Sequence, residues 1–357
     1  MNKYNSVRML LSELLVIVVL SACTLVNQET GTPDTSDHIG WYQVYFTESE
    51  SPKASTLRDG PDAALVEAID QARLSVEMAM DSLDLWSLRE ALLAAHRRGV
   101  DVRVVVETDN LNSEEVQELI ANGIPSQNDR QAGLMHNKFA VIDRLEVWTG
   151  SMNFTVNGAY RSDNNLIRIR SPDLAEDYLV EFEEMFTDRQ FGPNSPANTP
   201  YRQVKVSGTL VEVYFSPDDD TIERVIELVM DAQHSVKFMA YSFTDDELAA
   251  ALIENVGSGL HVSGVLEKSQ ALSNTGGEYE TLLENGVNVR LDGNPASMHH
   301  KVLIIDEQVV VTGSYNFSQS AKTRNDENTL IIHSAEIAAL YLEEFERVWL
   351  VAMDPSQ

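Results

Sequence analysis

Two stretches of this chain carry the same residues in the same register. The first runs His136-Asn137-Lys138, then Asp143, then Gly150-Ser151-Met152-Asn153. The second runs His299-His300-Lys301, then Asp306, then Gly313-Ser314-Tyr315-Asn316. The two histidines that open them stand 163 positions apart. A repeat of this reach requires the chain to build one supersecondary unit twice, once in each half. It also lets each half supply half of a single site.

The repeat extends well beyond the motif. Val44-Tyr45-Phe46 answers Val213-Tyr214-Phe215. In the helix that follows, Leu65, Ala68, Ile69 and Ala72 share a face, and so do Ile222, Val225, Ile226 and Val229. Short strands come next at 74–80 and 235–241, then helices at 85–98 and 246–256 closed by Gly99 and by Gly257 and Gly259. Strands at 102–106 and 262–266 precede helices at 114–121 and 279–284. Both halves end in an amphipathic helix, 174–186 and 335–350. Alternation of this kind predicts an α/β fold: two duplicated units, each a sheet flanked by helices. The first unit is expected over 41–190 and the second over 208–357, with 191–207 as a linker rich in proline and polar residues.

The motif lies at one edge of that layout. Phe139-Ala140-Val141-Ile142 and Val302-Leu303-Ile304-Ile305 read as buried strands. Residues two apart on a strand point the same way, so His136 and Lys138 project together, as do His299 and Lys301. His300 faces the other side and reads as a packed or solvated side chain. Asn153 and Asn316 follow the neighbouring strand and return to the same edge. Packing explains the Val and Ile between the polar positions. It does not explain paired histidines, lysines and asparagines. A lone His-x-Lys carries no weight, but its doubled extension does.

These paired motifs resemble those of the phospholipase D superfamily, and the resemblance covers nearly all of residues 41–352. It implies two units packed about a pseudo-twofold axis with one shared site. It further implies a phosphodiesterase working through a phosphohistidine, with His136 as nucleophile and His299 as acid; the residues themselves leave that order open. The chemistry is self-consistent with no cofactor and no metal. Lys138 and Lys301 neutralise the non-bridging oxygens, and Asn153 and Asn316 donate to them. One histidine attacks phosphorus and the other protonates the leaving alkoxide.

Around this set stand supporting residues. Asp143 and Asp306 read chiefly as anchors of strand ends, and Ser151 and Ser314 accompany the asparagines. Asn164 and Glu327 each lie 28 residues past the histidine of their own half. An acidic residue here often holds the histidine's second nitrogen in the family. Glu327 is therefore expected to serve His299, which would then carry a proton more easily, and Asn164 to serve His136. Asp218-Asp219-Asp220 lacks the spacing of a calcium loop and reads as an acidic helix start. His96-Arg97-Arg98 reads as a charge-complementing helix end.

The N-terminus is distinct. Lys3 and Arg8 precede an apolar run, Leu14 to Leu20, too short to span a bilayer comfortably. Leu20-Ser21-Ala22-Cys23 resembles the lipobox of bacterial lipoproteins. That resemblance implies removal of 1–22 and lipidation of Cys23, with export to the outer face of a bacterial membrane; residues 23–40, rich in Thr, Asp, Gly and Ser, read as a tether. Thr24 is not the aspartate associated with inner-membrane retention. Cys23 is the only cysteine, so no internal disulfide is available.

The net charge is −30, and removal of 1–22 takes away one net positive charge. A surface so acidic repels polyanions and disfavours non-specific nucleic-acid binding. Phospholipid is thus the expected substrate, held near by the Cys23 anchor. An endonuclease of the same superfamily is the alternative, with DNA or RNA as partner. A catalytically silent surface lipoprotein is a third reading, which the doubled motif disfavours. One chain supplies both half-sites, so activity does not demand an oligomer.

Overall fold

The computed structural model describes residues 40–129 and 133–354. The expected signal segment, Cys23 and the expected tether up to residue 39 lie outside them. From Trp41 onward the chain forms one compact unit.

Two mixed sheets organise that unit. The first contains β1 (Tyr42–Phe46), β2 (Ser75–Met80), β3 (Asp101–Val106), β4 (Ser126–Asn128), β5 (Lys138–Ile142), β6 (Glu146–Gly150) and β7 (Asn165–Arg170). Its order is β1-β7-β6-β5-β2-β3-β4. The second contains β8 (Gln203–Val206), β9 (Thr209–Ser216), β10 (Ser235–Ala240), β11 (His261–Leu266), β12 (Asn288–Leu291), β13 (Lys301–Ile305), β14 (Val309–Gly313) and β15 (Glu327–His333). Its order, β12-β11-β10-β13-β14-β15-β9-β8, repeats the first with β8 added at one edge. In each sheet the strand that begins with the motif lysine, β5 or β13, runs antiparallel to an earlier strand, β2 or β10. Lys138 pairs with Met80, and Lys301 with Ala240.

Strand alternation divides the interior into three cores. Phe139 and Val141 enter a central core, while Ala140 and Ile142 enter a core belonging to the first sheet alone. Val302 and Ile304 join the same central core, and Leu303 and Ile305 a third one beyond the second sheet. The terminal helices Pro172–Glu183 and Ala335–Val351 supply Tyr178, Phe182, Tyr341 and Phe345 to the centre. Ser171 and Ser334 start these helices, each accepting from the backbone N–H three residues on. Truncating a buried aromatic here would cost about 3–5 kcal/mol.

The segment 191–207 does not act as a free spacer. Phe191 is buried in the central core, and β8 inside it pairs with β9. Its prolines and polar residues suggested a solvated connection, but the apolar Phe191, Val204 and Val206 alternate inward.

The motif aspartates build the hairpins that follow the lysine strands. Asp143-Arg144 and Asp306-Glu307 all have positive φ, as the two central residues of a type I′ turn require. Leu145 N–H then donates to Ile142 O, and Gln308 N–H to Ile305 O. The Asp143 carboxylate accepts from the N–H groups of Arg73, Leu74 and Ser75. Asp306 accepts from Gln233, His234 and Ser235. Both therefore tie the hairpin to the start of the adjacent strand, away from the histidines.

Burial works against ionisation of Asp306, but those three N–H donors outweigh it and hold the carboxyl below its ordinary value. A depressed folded value gives stability that is present above the ordinary carboxylate range and lost as pH falls through the folded value. Asp306→Asn keeps a residue tolerant of positive φ and removes the charge. At pH 7 it should lower unfolding free energy by about 1 kcal/mol, given partial solvent screening. Urea midpoints should show that gap closing as pH falls below the ordinary carboxylate range.

Candidate active site

The histidines sit where the two halves exchange backbone. Met135 bridges to Asp326 and Met298 to Asp163. His136 N–H donates to Asp326 O at 3.0 Å, and His299 N–H to Asp163 O at 2.9 Å. The segment preceding each motif thus runs beside the segment that carries Asn164 or Glu327 in the other half.

That crossing reverses one expectation. Glu327 does not serve His299. Its carboxylate Oε2 lies 2.7 Å from His136 Nδ1, and Glu327 is fully buried. Asn164 serves His299 instead: Nδ1 of His299 is 3.0 Å from Asn164 Oδ1 and 3.1 Å from Ser151 O. Equal spacing along the chain suggested pairing within each half. The strand exchange at the seam places each partner against the opposite histidine.

The tautomers follow. Both contacts of His299 Nδ1 are oxygen acceptors, so Nδ1 carries a proton and Nε2 is left for the cleft. Asn164 is oriented by its own bonds: its Nδ2 donates to Gly158 O and Ser162 O, and its Oδ1 accepts from Ser151 Oγ. On the other side, the Glu327 carboxylate takes the His136 Nδ1 proton in hydrogen bond and likewise frees Nε2.

Lys138 and Lys301 are both buried, and each donates from Nζ to the carbonyl of the histidine two residues back, at 2.7 Å. Burial lowers the proton affinity of Lys138, opposed by Asp81 and Glu327. Burial and Lys138 push Lys301 well below the ordinary lysine value, opposed by the same two carboxylates. Burial, then Lys301, Lys138 and His136, hold His299 well below the ordinary histidine value. An empty cleft therefore favours neutral His299, and an arriving anion favours its protonated form.

Asn153 and Asn316 lie in the loops after β6 and β14. In each the buried Oδ1 has no hydrogen-bond partner. Unsatisfied buried amides at two equivalent positions mark groups held for something other than folding. The glycines before them are required by space. A Cβ on Gly150 would fall 2.4 Å from Asn165 O, and one on Gly313 2.1 Å from Asn328 O, both at positive φ. Ser151 Oγ and Ser314 Oγ accept from the N–H groups of Asn165 and Asn328 at 3.1 and 3.0 Å.

The sequence reading left open whether His300 is packed or solvated and gave Asn137 and Asp81 no role. His300 is fully buried and bonds Glu344 at 2.8 Å and Asn165 at 3.2 Å. Asn137 occupies the equivalent place, contacting Glu181 and Asn328. These middle residues of the two His-x-Lys triplets lock the seam. Asp81 stands beside the lysines at the end of β2. Its signal in the sequence was the mismatch with Tyr241 at the matching strand end. Asp219 of the acidic run is buried, accepting from Phe215 N–H and Thr199 Oγ1 and paired with Arg202.

The family described as cardiolipin synthase, PLD-like domain matches residues 65–186 and again 225–349. The chain belongs to the phospholipase D superfamily and is a phosphodiesterase of that kind. The phospholipase D of Rickettsia bellii is 32% identical over 145 residues, covering 41% of this chain and 72% of that protein. Human mitochondrial cardiolipin hydrolase is 33% identical over 131 residues, covering 37% of this chain and 52% of that protein. Over the full architecture, phosphatidylserine synthase of Haemophilus influenzae has the same fold, with a TM-score of 0.64 at 15% identity over 87% of each chain.

The exchanged partners yield a test. Glu327→Gln should reduce kcat/KM by about a hundredfold, because an amide cannot stabilise a charged His136 ring as a carboxylate does. Asn164→Asp adds a carboxylate beside His299 and favours its charged form. The alkaline limb of the pH profile should move up by about one unit. Steady-state rates across pH check both.

Proposed function

We propose that this enzyme hydrolyses phospholipid headgroup esters, and that the Glu327–His136 contact across the seam determines how. Glu327 holds the Nδ1 proton and supports the positive charge that appears when Nε2 of His136 bonds to phosphorus. The bond from phosphorus to the headgroup oxygen breaks, and Nε2–H of His299 delivers its proton to that oxygen. Lys138, Lys301 and the amides of Asn153 and Asn316 take up the charge on the equatorial oxygens. In the second step His299 removes a proton from water, which attacks phosphorus. The phosphorus–His136 bond breaks and phosphatidate is released.

Protonated His299 is needed in the first step, although burial and the lysines oppose it in the free site. The bound phosphodiester brings one negative charge beside both lysines and offsets them. Substrate thus prepares its own acid.

Several observations support lipid over nucleic acid. The family description and the relatives' names concern phospholipids. A net charge of −30 opposes a polyanion. Exposed apolar side chains also stand on segments leaving the lysine edge of the sheets: Trp86 after β2, Leu272 after β11 and Leu134 before His136. Amphipathic aromatic and apolar side chains of this kind suit a membrane interface. The proposed anchor at Cys23, after removal of 1–22, would hold the enzyme on the outer face of a bacterial membrane.

With the mature protein in excess chelator, phospholipid vesicles should yield phosphatidate and free headgroup. His136→Ala should abolish this by at least about a thousandfold. Nucleic-acid cleavage without lipid turnover would reassign the substrate. Cys23→Ala should shift the protein from the membrane to the soluble fraction.

A further inference from the structure

The two halves differ at the residue that leaves the strand beside each motif lysine. Asp81 follows β2, and Tyr241 follows β10. Asp81 N–H donates to Asn137 O at 3.1 Å, and Tyr241 N–H donates to His300 O at 2.9 Å. The pseudo-twofold therefore places them identically against the His-x-Lys triplets. In the second half the Tyr241 ring lies 4.5 Å from the His299 ring, and Lys301 Nζ lies 4.7 Å from its centroid. In the first half that place, beside His136 and Lys138, holds a carboxylate.

Folding does not call for the charge. The twin strand end is built with a neutral aromatic. The Asp81 side chain is half-buried and accepts a hydrogen bond from Ser82 Oγ at 3.0 Å. Burial disfavours its ionisation, but Lys138, His136 and Lys301 together outweigh that and hold the carboxyl below its ordinary value. Asp81 is thus a fixed negative charge within reach of both lysines. Glu107, at the end of neighbouring β3, is pushed up to about 7 by burial and by Asp129, with Asp81 contributing.

A fixed charge acts on bound anions in proportion to their own charge. A phosphodiester carries one negative charge. Phosphomonoesters, free phosphate and sulfate carry up to two. Two buried ammonium groups alone favour the doubly charged species. A carboxylate beside them takes back twice as much from a dianion as from a monoanion.

We infer that Asp81 sets the charge selectivity of this site, admitting singly charged phosphodiesters and discouraging doubly charged tetrahedral anions. The phosphomonoester product of hydrolysis belongs to the discouraged class, so the same charge promotes its release. The inference depends on phosphodiester chemistry and not on whether the diester is a lipid.

The test uses two competitive inhibitors of similar shape and constant charge, sulfate and dimethyl phosphate. The mature protein hydrolyses a chromogenic diester at about pH 6, where the first is a dianion and the second a monoanion. Asp81→Asn and Asp81→Tyr should each tighten sulfate inhibition about tenfold and dimethyl phosphate inhibition about threefold, since the dianion effect is the square of the monoanion effect. Asp81→Glu, which keeps the charge, should stay within about twofold of the parent. If Asp81→Asn fails to melt cooperatively, Asp81→Tyr decides, because the twin half already folds around that residue. An unchanged ratio of the two inhibition constants in a folded neutral variant would overturn the inference. A parent enzyme that cleaves the diester but no lipid would overturn the substrate proposed above and leave this inference intact.

Discussion

Everything at the centre of this molecule depends on the exchange of histidine partners across the seam. His136 belongs to the first half and is held by Glu327 of the second; His299 belongs to the second and is held by Asn164 and the Ser151 carbonyl of the first. Neither half contains a complete histidine–partner pair. The duplication is therefore more than repetition, since each unit positions the other's motif histidine. Fully buried Glu327 also helps offset two buried lysines, which no single half could neutralise with its own motif residues.

A polar lattice fixes the register of that exchange. Asn328 Nδ2 donates to Asn137 Oδ1, while its own Oδ1 accepts from Thr149 and Tyr178. Asn165 stands in the equivalent place, with Thr312, Tyr341 and His300 around it. Buried networks of this kind are costly when incomplete, so they permit one alignment of the halves and penalise a slipped one. The symmetry is then broken where the chemistry needs two different histidines. Glutamate faces one ring and asparagine the other; aspartate flanks one lysine and tyrosine the other. A histidine backed by a carboxylate suits attack on phosphorus. A histidine kept neutral by lysines until an anion arrives suits proton delivery.

Much of this was legible in the residues. The period between the motifs and the alternation of strands with helices led to the paired sheets, because side-chain periodicity is local and reads directly from the chain. The motif residues came together at one edge for the same reason. The partners of the histidines were not legible, because Asn164 and Glu327 sit at one spacing in both halves and only the strand exchange decides which ring each meets. The packing of Phe191 and β8 was hidden by neighbouring prolines. His300 was read as packed or solvated, and the choice between the two, like the place of Asn137, depends on Glu344, Glu181 and the opposite half's asparagines. Asp81 lay in plain view as a mismatch with Tyr241, but its proximity to both lysines is a fact of three dimensions.

The central claim is that His136, supported from the other half, forms the covalent bond to phosphorus. It is tested most directly by quenching turnover in alkali and locating the phosphoryl or phosphatidyl group by mass spectrometry after trypsin. Cleavage after Arg130 and Lys138 isolates His136 on peptide 131–138, and cleavage after Arg290 and Lys301 leaves His299 on peptide 291–301 together with the fully buried His300. The account predicts the adduct on 131–138. An adduct on 291–301 would contradict it, making the asparagine-backed histidine the nucleophile and leaving Glu327 to serve the acid.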